Sequence, residues 1–233
     1  MNLFIELLFP RRCPICDKPV DKIGHYICKK CEKSLQYVET PYCMKCGKRL
    51  EDGTKEYCMD CQNTEHFFQS GRALYEYEPI KESIYRFKYE GRKEYAKFYG
   101  RELAKRFGEQ IKEWKIDAIV PVPMHQEKVK NRGYNQAFLI AEVLGNELNI
   151  PVRDEIVKRV RATSPQKQLN GKERQNNLKN AFKIGKNDVK LNTVVVVDDI
   201  YTTGATMDAV TECLKSAGVG KVYCISLTVG RGM

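Results

Sequence analysis

The chain has 233 residues, 42% of them hydrophobic, and a formal net charge of +10. This leaves room for one ordinary α/β domain plus a small module and excludes disorder on a large scale. Residues 1–66 hold 11 Lys and Arg against 10 Asp and Glu, so almost all of the positive surplus falls on residues 67–233, where it suits polyanions such as a polyphosphate or a nucleic-acid backbone. Met1–Pro10 is apolar except for Asn2 and Glu6. It has no leading basic stretch and no small-residue cleavage site, and it is too short to cross a bilayer. The expectation is a short helix docked on its own protein, in a soluble cytoplasmic chain with no membrane insertion.

Eight of the ten cysteines form four C-x-x-C pairs at 15-residue spacing: Cys13/Cys16, Cys28/Cys31, Cys43/Cys46 and Cys58/Cys61. A C-x-x-C turn delivers two sulfurs to one ion and tetrahedral zinc wants four, so the expected content is two structural zinc ions. Equal spacing alone leaves the pairing open. The flanks favour sequential quartets, because Cys13-Pro-Ile-Cys16 and Cys43-Met-Lys-Cys46 read as knuckle turns, whereas Cys28-Lys-Lys-Cys31 reads as the first turn of a helix. That gives Cys13, Cys16, Cys28 and Cys31 for one ion and Cys43, Cys46, Cys58 and Cys61 for the other. No ligand is missing, so His25 and His66 are taken as surface residues. Cys213 and Cys224 are taken as small buried hydrophobes. Disulfides or a redox role are the weaker alternatives.

From Arg72 to Glu78 the alternation suggests a strand, followed by helices over roughly Ile80–Tyr89 and Lys93–Phe107, broken at Gly91. These helices interleave Arg86, Phe87, Lys88, Tyr89, Arg92, Tyr95, Lys97, Phe98, Tyr99 and Arg101. Such a stripe either stacks single-stranded DNA or is a plain amphipathic face, since its apolar members recur at helical spacing. Asp117-Ala-Ile-Val-Pro-Val-Pro is a second strand, leading to His125 and the cluster Lys128, Lys130 and Arg132. Leu139–Leu148 is a core-facing helix. Residues 153–190 carry 11 Lys and Arg against 4 Asp and Glu, a basic excursion able to close over a polyphosphate or simply a solvated loop.

Val194–Val197 reads as a strand buried on both faces, ending at Asp198 and Asp199. Thr202, Thr203, Gly204, Ala205 and Thr206 follow as a hydroxyl-rich loop into a helix from about Met207 to Ala217, and Val222–Val229 completes the sheet. Carboxylates accept hydrogen bonds from ribose hydroxyls. Loop amides at a helix start, with Gly204 permitting close approach, take a phosphate. The stretch resembles the phosphoribosyl-pyrophosphate (PRPP) motif of type I phosphoribosyltransferases. The resemblance implies a parallel sheet flanked by helices, PRPP as ligand with magnesium, and Asp198 and Asp199 as the catalytic carboxylates.

Pro121-Val-Pro-x-His125, then Arg132-Gly-x-Asn135-Gln136, together with Gln166, Leu169, Arg174, Asn177 and Phe182, resemble the ComF family of competence proteins. This likeness covers nearly the whole chain. It implies an amino-terminal double zinc finger over residues 1–66 and a phosphoribosyltransferase-like domain over 67–233, with His125 and Arg132 on the pyrophosphate side. It also implies a role in natural transformation, helping single-stranded DNA into the cytoplasm beside a helicase-like competence ATPase. Two functions stay open: a PRPP-binding protein serving DNA uptake, and an active transferase whose acceptor no residue identifies.

Overall fold

A computed structural model describes residues 10–20, 22–161, 178, 180–185 and 190–230. The amino-terminal part holds two short helices, α1 (Lys29–Glu32) and α2 (Met59–Asn63). There follow β1 (Gly71–Glu76), α3 (Tyr77–Tyr89), α4 (Tyr95–Glu113), β2 (Ala118–Pro121), α5 (Gln126–Arg132) and α6 (Gln136–Leu148). The chain continues through β3 (Val157–Arg159), β4 (Phe182–Ile184), β5 (Thr193–Tyr201), α7 (Ala205–Ser216) and β6 (Lys221–Val229). Met1–Phe9 and Gln166, Leu169, Arg174 and Asn177 lie outside the described residues.

β1, β6, β5 and β2 form, in that order, a wholly parallel sheet. Val194 to Val197 are fully buried at its centre, as a parallel strand covered on both faces requires. The two-residue period of β5 divides the core. Val194 and Val196 join Met207, Val210 and Leu214 of α7 on one face. Val195 and Val197 join Leu103, Ile140 and Leu144 of α4 and α6 on the other. β3 and β4 pair antiparallel apart from the sheet, Val157 opposite Ile184, and pack Val157 and Phe182 into the α7-side core.

The structure corrects one expectation. β5 does not stop at Val197 but runs to Tyr201, with Asp198, Ile200 and Tyr201 in register with Ser226, Thr228 and Val229 of β6. The polar but buried Ser226 and Thr228 make a strand end with carboxylates on it tolerable. Asp198 and Asp199 therefore belong to the strand and set off toward opposite faces of the sheet.

The cysteine module repeats itself. After Cys16 and Cys46 the chain turns through left-handed Asp17 and Gly47. The bridges Arg12↔Pro19 and Tyr42↔Arg49 close equivalent knuckles, and Cys28 and Cys58 sit at the start of α1 and α2. The sulfurs of Cys13, Cys16, Cys28 and Cys31 lie within 4.8 Å of one another, as do those of Cys43, Cys46, Cys58 and Cys61. The cross-pair distances Cys16–Cys28, 3.9 Å, and Cys46–Cys58, 3.7 Å, match the ~3.8 Å edge of a tetrahedron with zinc–sulfur bonds of ~2.3 Å. Hydrogen bonds from Cys46, Cys58 and Cys61 pull the Cys43 thiol down, while those with Cys43 and Cys46 push Cys61 up. The donor sets fit two zinc sites of four cysteines each.

The module grips the sheet at β1. Tyr37 bridges Tyr75 antiparallel, with Val38 N donating to Leu74 O at 3.0 Å. Cys13, Ile27 and Cys31 enter the core on the α4 face, and Cys43, Cys46 and Leu50 enter it on the α7 face. The interleaved stripe is largely consumed in this docking, which favours the amphipathic alternative over a DNA-stacking one. Phe87, Tyr95, Phe98 and Tyr99 are buried. Arg86 donates to Ile15 O at 2.6 Å, and Arg92 and the Tyr95 hydroxyl hold the Asp17 carboxylate at 2.8 and 2.5 Å. Burial alone would raise Asp17, but Tyr95 and Arg92 hold it below its ordinary value. Arg101 pairs with Glu147 at 2.9 Å, while Lys97 stays exposed.

Gly47 has φ +77°, and a Cβ there would stand 2.8 Å from Arg72 Cα and 2.9 Å from Gly71 O. Gly47→Ala should therefore lower stability by about 2–3 kcal/mol through backbone strain and separation from β1. Urea unfolding measures the loss, and elemental analysis should still find about two zinc ions per chain.

Candidate functional site

β2 ends at Pro121, opposite Val197, so β5 runs past it through Asp198 and Asp199, and three elements converge there. α3 begins where β1 ends and carries Lys88 in its last turn, where Nζ meets Asp199 Oδ1 at 2.8 Å with both side chains mostly buried. Asp198 starts toward the opposite face. Its Oδ1 accepts from the Asp199 amide at 2.8 Å, and Arg159 of β3 contributes favourable charge to it. Burial and the charge of Asp199 push the Asp198 carboxyl up to about 7, with Lys88 and Arg159 opposing. The pair is thus flanked by one cation from each side of the sheet.

The loop from Thr202 to Thr206 fits an anion. Thr203 Oγ1 is buried with no hydrogen-bond partner among the described residues. The ladder of α7 opens with Asp208 N donating to Gly204 O at 2.8 Å, so the amides of Ala205 and Met207 have no partner within the helix. An orphaned hydroxyl beside first-turn amides is the donor set a phosphate needs. Gly204 has a further reason to be glycine beside the one its sequence suggests. At φ +82°, a Cβ would lie 2.5 Å from Tyr201 Oη and 2.6 Å from His66 Cε1. The glycine makes room for the protein beneath the loop.

His66 is accordingly not a surface residue. It is 5% exposed, its Nδ1 lies 2.7 Å from Asp208 Oδ2, and its ring stacks on Phe68. Asp208 Oδ1 accepts from Phe67 N at 3.0 Å. The chain leaving the second cysteine quartet is thereby fastened under the Thr202–Thr206 loop.

On the β2 side, His125 is half-buried at the start of α5, its Nδ1 3.5 Å from Glu127 Oε2. Arg132 donates to Gln136 Oε1 at 2.7 Å and stacks over Tyr89, 5.0 Å from the ring centroid. Asn135 caps α6 and donates to Val122 O at 3.0 Å. Arg132-Gly-x-Asn135-Gln136 thus has a positioning role, tying the segment after β2 to α3, with Tyr134 Oη also donating to Phe87 O at 2.5 Å. Partial burial and the charges of Arg159, Arg132 and Lys88 lower the Lys128 ammonium. Lys88, Arg132 and Arg159 thus all bear on Lys128.

Residues 96–231 match the phosphoribosyl transferase domain, and residues 4–62 match the double zinc ribbon domain. The chain belongs to the phosphoribosyl transferase domain family. Competence protein F of Haemophilus influenzae is 37% identical over 150 residues, 62% of this chain and 66% of that protein. DNA utilization protein YhgH of Escherichia coli is 36% identical over 115 residues, 48% of this chain and 50% of that protein. Competence protein ComFC of Bacillus subtilis is 29% identical over 152 residues, 64% and 60% of the two chains. The matches thus span between half and two thirds of these relatives, and they bear out the resemblance to ComF proteins. Among solved structures, UMP synthase of Leishmania donovani aligns over 58% of this chain and 22% of that one, at 26% identity and TM-score 0.35. The purine phosphoribosyltransferase of Pyrococcus horikoshii aligns over 57% and 72%, at 20% and 0.34.

Within this phosphoribosyl transferase domain, the sequence pointed to Asp198, Asp199, the Thr202–Thr206 loop, His125 and Arg132. It held no sign of Lys88, Arg159 or His66. Lys88 and Arg159 are single cations among many, and only the fold singles them out.

The raised Asp198 carboxyl has a measurable sign. Between its ordinary value near 4 and about 7 the folded state keeps a proton that the unfolded state has lost, so this group's contribution to stability falls as pH rises through that window. Asp198→Asn should raise the melting temperature by a few degrees at pH 8 and leave it nearly unchanged at pH 4.5. Scanning calorimetry at the two pH values checks this.

Proposed function

We propose that the chain is a PRPP-binding protein of the ComF type that serves natural transformation by aiding the entry of single-stranded DNA into the cytoplasm. The observation that carries the PRPP part is the sequence of groups along one sheet edge. Two carboxylates able to accept from the 2′ and 3′ hydroxyls are followed at once by the Thr203 hydroxyl, buried and without a partner among the described residues, and by the amino terminus of α7, suited to the 5′-phosphate. The cations Lys88, Lys128, Arg132 and Arg159 supply the positive surroundings a diphosphate needs. Magnesium bound with PRPP would neutralise part of the diphosphate charge, and Asp198 and Asp199 are the residues of this chain suited to face it. The DNA part rests on the relatives named as competence and DNA utilization proteins and on the positive surplus of residues 67–233. A helicase-like competence ATPase is the partner this role implies, with the zinc ribbon as docking module.

A second reading is favoured by the same cation cluster. Donors gathered around a diphosphate stabilise it as a leaving group, which suits an active phosphoribosyltransferase in which Asp198 and Asp199 support the positive charge developing on the ribose. A pyrophosphate-release assay across candidate bases and amines separates the two: binding without release on any acceptor leaves the binding protein.

Asp198→Asn together with Asp199→Asn keeps side-chain shape and removes charge. Losing two or three charge-assisted bonds to ribose hydroxyls should weaken PRPP binding by roughly thirtyfold or more. Inorganic pyrophosphate has no hydroxyls, so it should bind the variant at least as well as the parent. Calorimetry with both ligands and Mg²⁺ makes the comparison, and equal weakening of the two would refute the ribose assignment.

A further inference from the structure

We propose that Lys88 is a PRPP-binding residue that exchanges one anion for another: Asp199 in the free protein, the ligand's diphosphate in the complex. The proposal deepens the PRPP reading and rests on it. Lys88 is assigned by no motif, yet Nζ lies 2.8 Å from Asp199 Oδ1, in a pair whose side chains are 18% and 12% exposed.

The surroundings argue against a purely structural bond. A mostly buried ion pair gains little stability, because desolvation of both charges offsets their attraction. The buried pair that does hold the fold is built differently: Asp208 has both oxygens occupied, by His66 Nδ1 and by the Phe67 amide. Lys88 does not anchor α3 either. That helix end is fixed by Tyr134 Oη donating to Phe87 O, by Arg86 donating to Ile15 O, and by buried Phe87. The side chain can swing while its backbone stays in place.

The charges give that swing a direction. Asp199 is needed as a hydroxyl acceptor once a ribose arrives, and an ammonium that neutralises it must leave. Arg132 stacks over Tyr89, the residue after Lys88, 5.0 Å from the ring centroid, and Lys88, Arg132 and Arg159 all act on Lys128, so a diphosphate drawn to these cations would sit within reach of the released Nζ. A flexible stem ending in a point charge suits such a hand-over better than a planar guanidinium. Lys88 then neutralises the site at rest and the ligand when bound.

The proposal separates three ligands by sign. Calorimetry of the full-length, zinc-loaded chain with Mg²⁺ would compare the parent, Lys88→Gln and Lys88→Arg. With Lys88→Gln, pyrophosphate and PRPP should each weaken by roughly 10- to 100-fold, the value of one charge-assisted hydrogen bond. Ribose 5-phosphate should bind equally well or better, since no ion pair has to open. Lys88→Arg should recover part of the diphosphate affinity. On the parent protein, acetylation of Lys88 followed by peptide mass mapping should slow with pyrophosphate but not with ribose 5-phosphate. Equal weakening of all three ligands would make Lys88 a structural prop, and no change in any would remove it from the site; either overturns the proposal. If the parent binds none of them, the PRPP reading itself fails and Lys88 falls with it.

Discussion

The buried carboxylate of Asp208 is the constraint on which the rest of the site depends. It lies in the first turn of α7 and accepts from His66 and from the Phe67 amide. The other ring nitrogen of His66 lies 3.4 Å from the Tyr201 hydroxyl. Burial pushes the Tyr201 phenol up, so it remains a neutral donor. One carboxylate thus joins the exit of the zinc ribbon, the end of β5 and the start of α7. Removing His66 takes one of the two donors from a buried carboxylate, a cost of about 1–3 kcal/mol. Gly204 belongs to the same constraint, since any side chain there would displace the Tyr201 and His66 rings.

The ribbon is therefore part of the scaffold under the loop as well as an appendage. Its two cysteine quartets enter opposite faces of one sheet, and the segment between them bridges the exposed edge of β1. An uncovered parallel edge invites pairing with other chains. Here Val38 and Gln36 occupy it, and the metal sites hold that segment with almost no apolar core of their own. The same logic explains why the aromatic and basic residues of α3 and α4 are so dense. They face a module whose polar knuckles need guanidinium and phenol donors, as Asp17 shows.

How much of this was legible in the sequence follows from how local each cause is. Each C-x-x-C pair is coded by spacing within a few residues, and its immediate flanks pointed to which pairs share an ion, so the two quartets could be read locally. The β5 stretch was also legible, because a run of valines beside two aspartates has few other uses. Lys88, Arg159 and His66 were not, since each acquires its role through contact with a segment far away in the chain. Where a residue has two reasons to exist, the sequence suggested one and the fold adds another: packing against Tyr201 and His66 at Gly204, and the bond to Gln136 at Arg132. Both are shaped by what packs behind them. The strand boundary was misjudged for a related reason: β6 carries buried Ser226 and Thr228 that let β5 continue through its own carboxylates.

Charge balance bears on the exchange proposed for Lys88. Two carboxylates in a partly buried strand end would repel each other and drive one to hold a proton, as the position of Asp198 near 7 indicates. Lys88 and Arg159, arriving from opposite faces, relieve that repulsion without sealing the site. Lys128 and Arg132 add positive charge to the surroundings of the two carboxylates, so a ligand of the proposed kind would meet the cations as a rim and the acids as a floor. A phosphate monoester alone would satisfy the rim and be repelled by the floor, and a neutral sugar would satisfy only the floor. A sugar carrying phosphates at both ends meets both demands, with its hydroxyls over the carboxylates and its anionic groups divided between the cation cluster and the α7 loop.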